Sequence, residues 1–191
     1  MGFYRARDLI RVPGLLSLSR VPLAACFPLA IDRPAVSLVI LCAAGVSDVL
    51  DGWYARRFGQ VTATGTALDP VTDKIFVACV ATALVLHGRL VLTDVMLLGI
   101  REIGELPLVV WLATSQTARR LRAAHPSANV PGKLATVLQF AAVAAAILRL
   151  PELGPLVRVT AVAGALAATS YWIRALRYAR VDRSKTNVEP Q

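Results

Sequence analysis

Charge is scarce in this sequence: Asp, Glu, Lys and Arg together make up 17% of 191 residues, while 56% are apolar. So little polar sequence excludes a disordered chain and leaves no room for a separate soluble domain of useful size. Cysteine is scarce as well. Cys26, Cys42 and Cys79 lie far apart within apolar stretches, without a CxxC pair or Cys/His spacing, which excludes a zinc module or a disulfide scaffold. They read as small core or lipid-facing residues. His87 and His125 have no partner at ligand spacing and read as loop residues. There is no internal repeat and no low-complexity tract. A cleaved leader is not expected, because Arg20 interrupts the first apolar run and no convincing small-residue cleavage site follows.

What the chain does have is long apolar runs. A bilayer core of roughly 30 Å takes about 20 helical residues. Such runs can be drawn six times: Val12 to Ile31, Ala35 to Arg56, Asp69 to Leu86, Leu92 to Thr114, Gly132 to Leu150 and Leu153 to Leu176. The expected fold is therefore all-α, a polytopic membrane protein of six transmembrane helices with short loops. Three regions follow: a basic juxtamembrane segment over 1–11, a six-helix membrane domain over 12–177 and a polar basic tail over 178–191. The opening segment reads as a short basic helix on the anionic leaflet. The tail after Arg183 reads as disordered, and Gln116 to Pro131 as the one longer surface connection.

The net charge is +9, and its distribution follows the loops. Arg5, Arg7 and Arg11 precede the first span, Arg56 and Arg57 follow the second, and Arg119, Arg120 and Arg122 follow the fourth. Arg177, Arg180, Arg183 and Lys185 follow the sixth, whereas the opposite side has only Arg33, Arg89, Arg149 and Arg158. The positive-inside rule then puts both termini in the cytoplasm, as in a bacterial-type inner or plasma membrane. The basic excess is a membrane signal and implies no nucleic-acid partner.

An ionisable residue inside a span needs a partner or a wet cavity, and function is its default reading. Asp48, Asp51, Asp69 and Asp73 fall within one short stretch, SDVLDGWYARRFGQVTATGTALDPVTDK, with Gly52, Gly65 and Arg56 among them. At about 100° per residue, Asp48, Asp51, Gly52, Ala55 and Arg56 share an arc of roughly 140°. That face carries acids and a base but little bulk, which leaves room for a ligand. Asp69 and Asp73, four apart, meet on one face of the next span. Carboxylates packed together repel unless divalent cations hold them, and oxygen-only donors point to Mg²⁺, Mn²⁺ or Ca²⁺ rather than zinc. A paired-metal site suits displacement at phosphorus, with Arg56 clamping a phosphate. Asp51 lies about 9 Å along a helix from Arg57, so the cluster sits just below the cytoplasmic surface.

Some of these residues have plainer alternatives. Asp69 before Pro70 also fits a helix N-cap followed by Pro at N1. Arg56 and Arg57 also fit interfacial anchors, and Gly52 and Gly65 also fit packing or turn glycines. Asp48 and Asp51 have no such alternative.

The residues from Asp48 to Asp73 fit DxxDGxxAR, eight residues, then GxxxDxxxD, and so the chain resembles the CDP-alcohol phosphatidyltransferase family. VPGLLSLSR from Val12 to Arg20 is similar to the family's opening PNxLSxxR segment, with Gly14 in place of Asn. Thr72 stands where many members carry Ala.

The resemblance implies that Asp48, Asp51, Asp69 and Asp73 bind two divalent cations, Mg²⁺ or Mn²⁺, that hold a CDP diphosphate. It implies that Gly52, Arg56 and Gly65 line the nucleotide pocket and that Asp73 is the general base toward an alcohol. The implied substrates are CDP-diacylglycerol and a small alcohol at the bilayer surface, with CMP released, and a homodimer is compatible with it.

Lys133 and Arg174, near cytoplasmic helix ends, resemble the basic pocket of members using phosphorylated acceptors, and GKLAT from Gly132 to Thr136 is similar to phosphatidylglycerophosphate synthases. Both cations also fit snorkelling anchors. Glycerol 3-phosphate is the favoured acceptor, with inositol phosphate, inositol, serine and phosphatidylglycerol open. Arg101, Glu102 and Glu105 read as a helix-packing ion network. Two further readings are an intramembrane prenyltransferase, which lacks its second acid cluster here, and a cation transporter, which would want acids deep in several spans.

Overall fold

A computed structural model describes residues 12–58, 63–114 and 130–186. Its described residues form helices α1 (Val12–Ala30), α2 (Pro34–Arg57), α3 (Ala63–Leu86), α4 (Leu92–Leu98), α5 (Ile100–Thr114), α6 (Val130–Leu148) and α7 (Leu153–Thr186). The expected all-α class is met. Three stretches are long and apolar enough to cross a membrane, Pro34–Ala55, Pro131–Leu148 and Leu153–Arg177, and Gly14–Ala30 is a shorter apolar helix. The opening eleven residues, His125 and most of the Gln116–Pro131 connection lie outside the described residues.

The chain divides into two compact units, one holding α1 to α3 with residues 146–149, the other holding α4, α5, most of α6 and α7. In the first unit α1 packs against both α2 and α3. The reason is periodicity. Gly14, Ser17, Arg20, Ala24, Phe27 and Ile31 recur every three or four residues and form the buried stripe of α1. Ser37, Ile40, Leu41, Ala44, Ser47 and Asp51 do the same on α2. Residues 31–33 are too short a connection for anything but an antiparallel pair, and Pro34 starts α2 where its missing N–H costs nothing. Ser37 Oγ closes the pair by donating to the Ala30 carbonyl at the end of α1, at 2.8 Å.

Helix α3 begins at Ala63, six residues earlier than the expected start at Asp69. The N-cap reading of Asp69 is thereby overturned: Asp69 and Pro70 sit inside the helix, in the kind of position where a membrane helix tolerates proline. At its other end α3 stops in a Schellman turn. Gly88 takes φ +64°, with Gly88 N donating to Val85 O at 3.0 Å and Arg89 N to Leu84 O at 2.8 Å. His87, as expected of a turn residue, turns its ring nitrogen to the Ala83 carbonyl at 2.8 Å.

The turn delivers Arg89 into the first unit. Its two terminal nitrogens donate to the carbonyls of Ile147 (2.6 Å) and Ile31 (2.5 Å), the last groups of α6 and α1. Asp32 lies 3.6 Å away. Sequence assigned Arg89 to an outer loop, but it is a buried bridge over two helix ends whose carbonyls have no intrahelical partner. Arg89→Ala is therefore expected to destabilise the protein by about 3 kcal/mol, the scale of two charge-assisted bonds to buried acceptors. Lysine cannot span both carbonyls and should restore little. Thermal melting in detergent checks both variants.

In the second unit the expected span from Leu92 to Thr114 is broken at Gly99 into α4 and α5. At the break Gln139 Nε2 donates to the Leu98 carbonyl at 2.6 Å, while Gly99 N and Ile103 N keep helical bonds to Val95 O and Gly99 O, both at 2.9 Å. Helices α5 and α7 approach closely because small residues face each other. A Cβ on Gly104 would lie 3.0 Å from Ala168 Cβ, and one on Gly164 3.0 Å from Ile100 Cγ2. Trp172 Nε1 adds a bond to the Gly104 carbonyl at 2.9 Å. Helix α7 runs through to Thr186, so residues 184–186, expected to be disordered, continue the last helix.

Candidate functional site

The first unit brings three of the four aspartates into one polar junction. On α2 the buried stripe turns from apolar to polar at Ser47 and Asp51, and Asp51 is only 4% exposed. Helix α1, running antiparallel, lays Ser17 and Arg20 against that end. Helix α3 supplies Asp69, half-buried, with Asp73 one turn further and exposed.

Ser17 joins two of the acids. Its hydroxyl lies 2.9 Å from Asp51 Oδ2 and 2.5 Å from Asp69 Oδ1, tying α2 to α3 through α1. Arg20 joins Asp51 to a third acid, Asp48. Its Nη2 pairs with Asp51 Oδ2 and lies 3.0 Å from Asp48 Oδ1, while Nε reaches Ser47 Oγ at 3.4 Å. Ser47 donates its own proton one turn back, to Ala44 O at 2.8 Å, and so can accept from Arg20. Beneath this layer Thr72 is buried and donates to the Asp69 carbonyl at 3.1 Å.

Among the described residues no three acids converge closely enough to ligate an ion, and Asp48, 57% exposed, sits at the rim of the junction. The chemistry of the junction nevertheless fits a divalent cation. Ser17 has one hydroxyl proton, yet two carboxyl oxygens flank its oxygen, so with both acids ionised one of those contacts lacks a proton and invites positive charge. In the junction three carboxylates, of Asp48, Asp51 and Asp69, gather around Ser17 and the Arg20 guanidinium. Every candidate donor is an oxygen, the set a hard cation such as Mg²⁺ or Mn²⁺ prefers.

Gly52 and Ala55 are half-buried beside Asp51 and Asp48, in keeping with a face of little bulk. The backbone of Arg56 lies in the last turn of α2, and that of Gly65 in the first turn of α3. Trp53, Tyr54 and Phe58 cluster at the same end of α2, with Tyr54 and Phe58 ring centroids 4.4 Å apart. Aromatic groups of this kind mark a membrane–water interface.

In the second unit Lys133 is exposed in the first turn of α6 and Arg174 is exposed on α7. Arg101 Nη1 donates to Thr136 Oγ1 at 2.6 Å and to the Gly132 carbonyl at 3.1 Å, and Nη2 pairs with Glu102 at 2.6 Å. Arg101 Nε is 3.9 Å from Glu105, and Gln139 Nε2 also reaches Glu102 at 3.1 Å. These residues do form an ion network that packs helices, as read from sequence. The three cysteines are free thiols, and Cys26 and Cys42 face outward.

Ser17 and Arg20 belong to the VPGLLSLSR segment that resembles the family's opening motif, but sequence alone assigned them no role in the site. The signal was present: a lone arginine in an apolar helix needs a partner at its own depth.

Comparison with known proteins gives this geometry a context. Residues 10–173 match the family described as CDP-alcohol phosphatidyltransferase. A CDP-diacylglycerol–glycerol-3-phosphate 3-phosphatidyltransferase of Pectobacterium atrosepticum is 47% identical over 72 residues, 35% of this chain and 40% of that protein. A chloroplastic protein of Oryza sativa subsp. japonica with the same activity in its name is 36% identical over 126 residues, 60% of this chain and 38% of its own. A cardiolipin synthase (CMP-forming) of Streptomyces coelicolor is 32% identical over 135 residues, 66% and 60% respectively. The chain thus spans between 38% and 60% of the length of these curated relatives. The family match covers α1 to α5, α6 and most of α7, and includes every helix that builds the polar junction, so the chain belongs to the CDP-alcohol phosphatidyltransferase family.

Proposed function

We propose that this protein is a membrane enzyme that moves a phosphatidyl group from CDP-diacylglycerol to a small alcohol, with glycerol 3-phosphate the favoured acceptor. The observation that carries the reading is the junction in which Ser17 and Arg20 gather Asp48, Asp51 and Asp69 at one end of a three-helix unit. The relatives named for transfer to glycerol 3-phosphate support the acceptor.

Asp48, Asp51, Asp69 and Asp73 would hold two divalent cations, Mg²⁺ or Mn²⁺. Bound there, such ions neutralise diphosphate oxygens and favour displacement at phosphorus. Gly52 and Gly65 leave space for the nucleotide, and Arg56 clamps a phosphate. Asp73 takes the proton of the acceptor hydroxyl as that oxygen bonds to the lipid-side phosphorus. The bond from that phosphorus to the bridging diphosphate oxygen breaks, and CMP leaves with the electron pair. Lys133 and Arg174 bind the acceptor's phosphate.

The reading includes six membrane crossings, made by α1, α2, α3, the α4–α5 pair, α6 and α7, with both termini and the site facing the cytoplasm of a bacterial-type inner membrane. Arg57 and the aromatic group of Trp53, Tyr54 and Phe58, close to Asp51 in the chain, support a site just below that surface. It also includes a homodimer.

The test is CMP release by the purified protein, given CDP-diacylglycerol and one acceptor at a time: glycerol 3-phosphate, inositol phosphate, inositol, serine or phosphatidylglycerol. Glycerol 3-phosphate is expected to give the fastest release. Turnover with a non-phosphorylated alcohol and none with glycerol 3-phosphate would remove the favoured acceptor. Release of pyrophosphate in place of CMP from prenyl substrates would replace the reaction itself. A second reading, cardiolipin formation with release of CMP, is favoured by the likeness to the Streptomyces coelicolor cardiolipin synthase (CMP-forming), which covers more of both chains than the Pectobacterium match.

A further inference from the structure

Arg20 is buried to 1% exposure in the middle of an apolar helix, where an unpaired guanidinium is costly. It is held by the acids of the neighbouring helix. Nη2 contacts Asp48 Oδ1 and Asp51 Oδ2 together, and Nε reaches Ser47. Among the described residues Nη1 has no hydrogen-bond partner. The guanidinium is thus committed to two carboxylates and is otherwise under-satisfied, so Asp48 and Asp51 dominate its environment.

Those are the carboxylates that the proposed metal site requires. Asp51 Oδ2 accepts from Arg20 and lies against Ser17 as well, so one oxygen of the pair is already engaged twice. A guanidinium and a divalent cation cannot both sit against the same oxygens at contact distance, because like charges a few ångströms apart repel strongly where water is scarce. One must give way, or both must share the pair at a cost.

We propose that Arg20 is a built-in counter-ion that occupies the Asp48–Asp51 pair in the metal-free protein and yields it to a divalent cation, thereby setting the protein's metal affinity. The inference rests on the metal reading given above. Arg20 is a positioning residue here, since it acts through the two aspartates. It keeps α1 and α2 joined when no cation is bound, and it makes the metal compete for its ligands.

The two roles separate in one set of measurements on the full chain in detergent: Mn²⁺ affinity by titration calorimetry, and melting temperature in EDTA and in saturating Mn²⁺. Arg20→Gln keeps hydrogen-bonding capacity but removes the charge. It is expected to bind Mn²⁺ about tenfold more tightly than the wild type. It should also melt earlier in EDTA and gain more from Mn²⁺ than the wild type gains, since tighter binding to the folded state raises stability further. Arg20→Lys keeps the charge and should keep wild-type affinity.

A purely structural arginine predicts the opposite pattern, an equal loss of melting temperature with and without Mn²⁺ and an affinity no better than wild type. Either result overturns the proposal. A glutamine variant that folds only in Mn²⁺ supports it, and one that folds in neither condition counts against it. If the wild type binds no Mn²⁺, the metal reading itself falls and takes the proposal with it. If the wild type binds and Arg20→Gln binds no more tightly, the counter-ion role alone fails.

Discussion

Asp73→Asn is expected to lower the rate of CMP release by roughly 10²- to 10⁴-fold, the range over which a positioned general base contributes. The carboxamide matches the carboxylate in size but cannot take a proton from the acceptor hydroxyl. The loss should fall on kcat, with the KM for CDP-diacylglycerol changing less. Asp73 is exposed on α3, one turn beyond Asp69, so the substitution should lower the melting temperature less than loss of a buried acid does. Asp51→Asn differs on that point. Asp51 is buried and serves both Arg20 and Ser17, so its loss should lower stability together with activity. Steady-state kinetics beside melting curves separate the two cases, and a fall of less than tenfold for Asp73→Asn would remove the base from Asp73.

The fold was legible wherever helical periodicity met a bilayer-length run. Helices α1, α2, α6 and α7 start within about two residues of their expected positions, because Pro34, the 31–33 turn and the 149–152 turn punctuate the sequence locally. Helix α3 began early because the polar stretch before Asp69 reads as loop by composition, although nothing in it forbids helix. The break at Gly99 was not legible. The side chain that meets the Leu98 carbonyl there is Gln139, distant in sequence. Arg89 escaped for the same reason, since its two acceptors belong to helix ends far apart in the chain.

The acids of the site were legible from spacing alone, but their partners were not. Those partners follow from the hairpin. An antiparallel pair closed by the Ser37–Ala30 contact, counted back equally along both helices, brings Arg20 to Ser47 and Ser17 close to Asp51. In the sequence Arg20 interrupts an apolar run, and packing pairs it with Asp48 and Asp51.

Chelation is expected to abolish activity while leaving the fold in place. Two unit charges 4 Å apart interact by about 4 kcal/mol at an effective dielectric of 20. A CDP diphosphate entering a cluster of four aspartates meets that repulsion several times over, and Arg20 already spends its charge on Asp48 and Asp51. One such unrelieved contact slows a reaction by about three orders of magnitude. EDTA should therefore reduce CMP release by at least about 10³-fold. Mg²⁺ or Mn²⁺ added back should restore it, in keeping with an all-oxygen donor set. The contacts of Ser17 and Arg20 across α1, α2 and α3 need no ion, so the melting transition should persist in EDTA. CMP release continuing in EDTA at more than a tenth of the starting rate would mean that the aspartates act without a divalent cation.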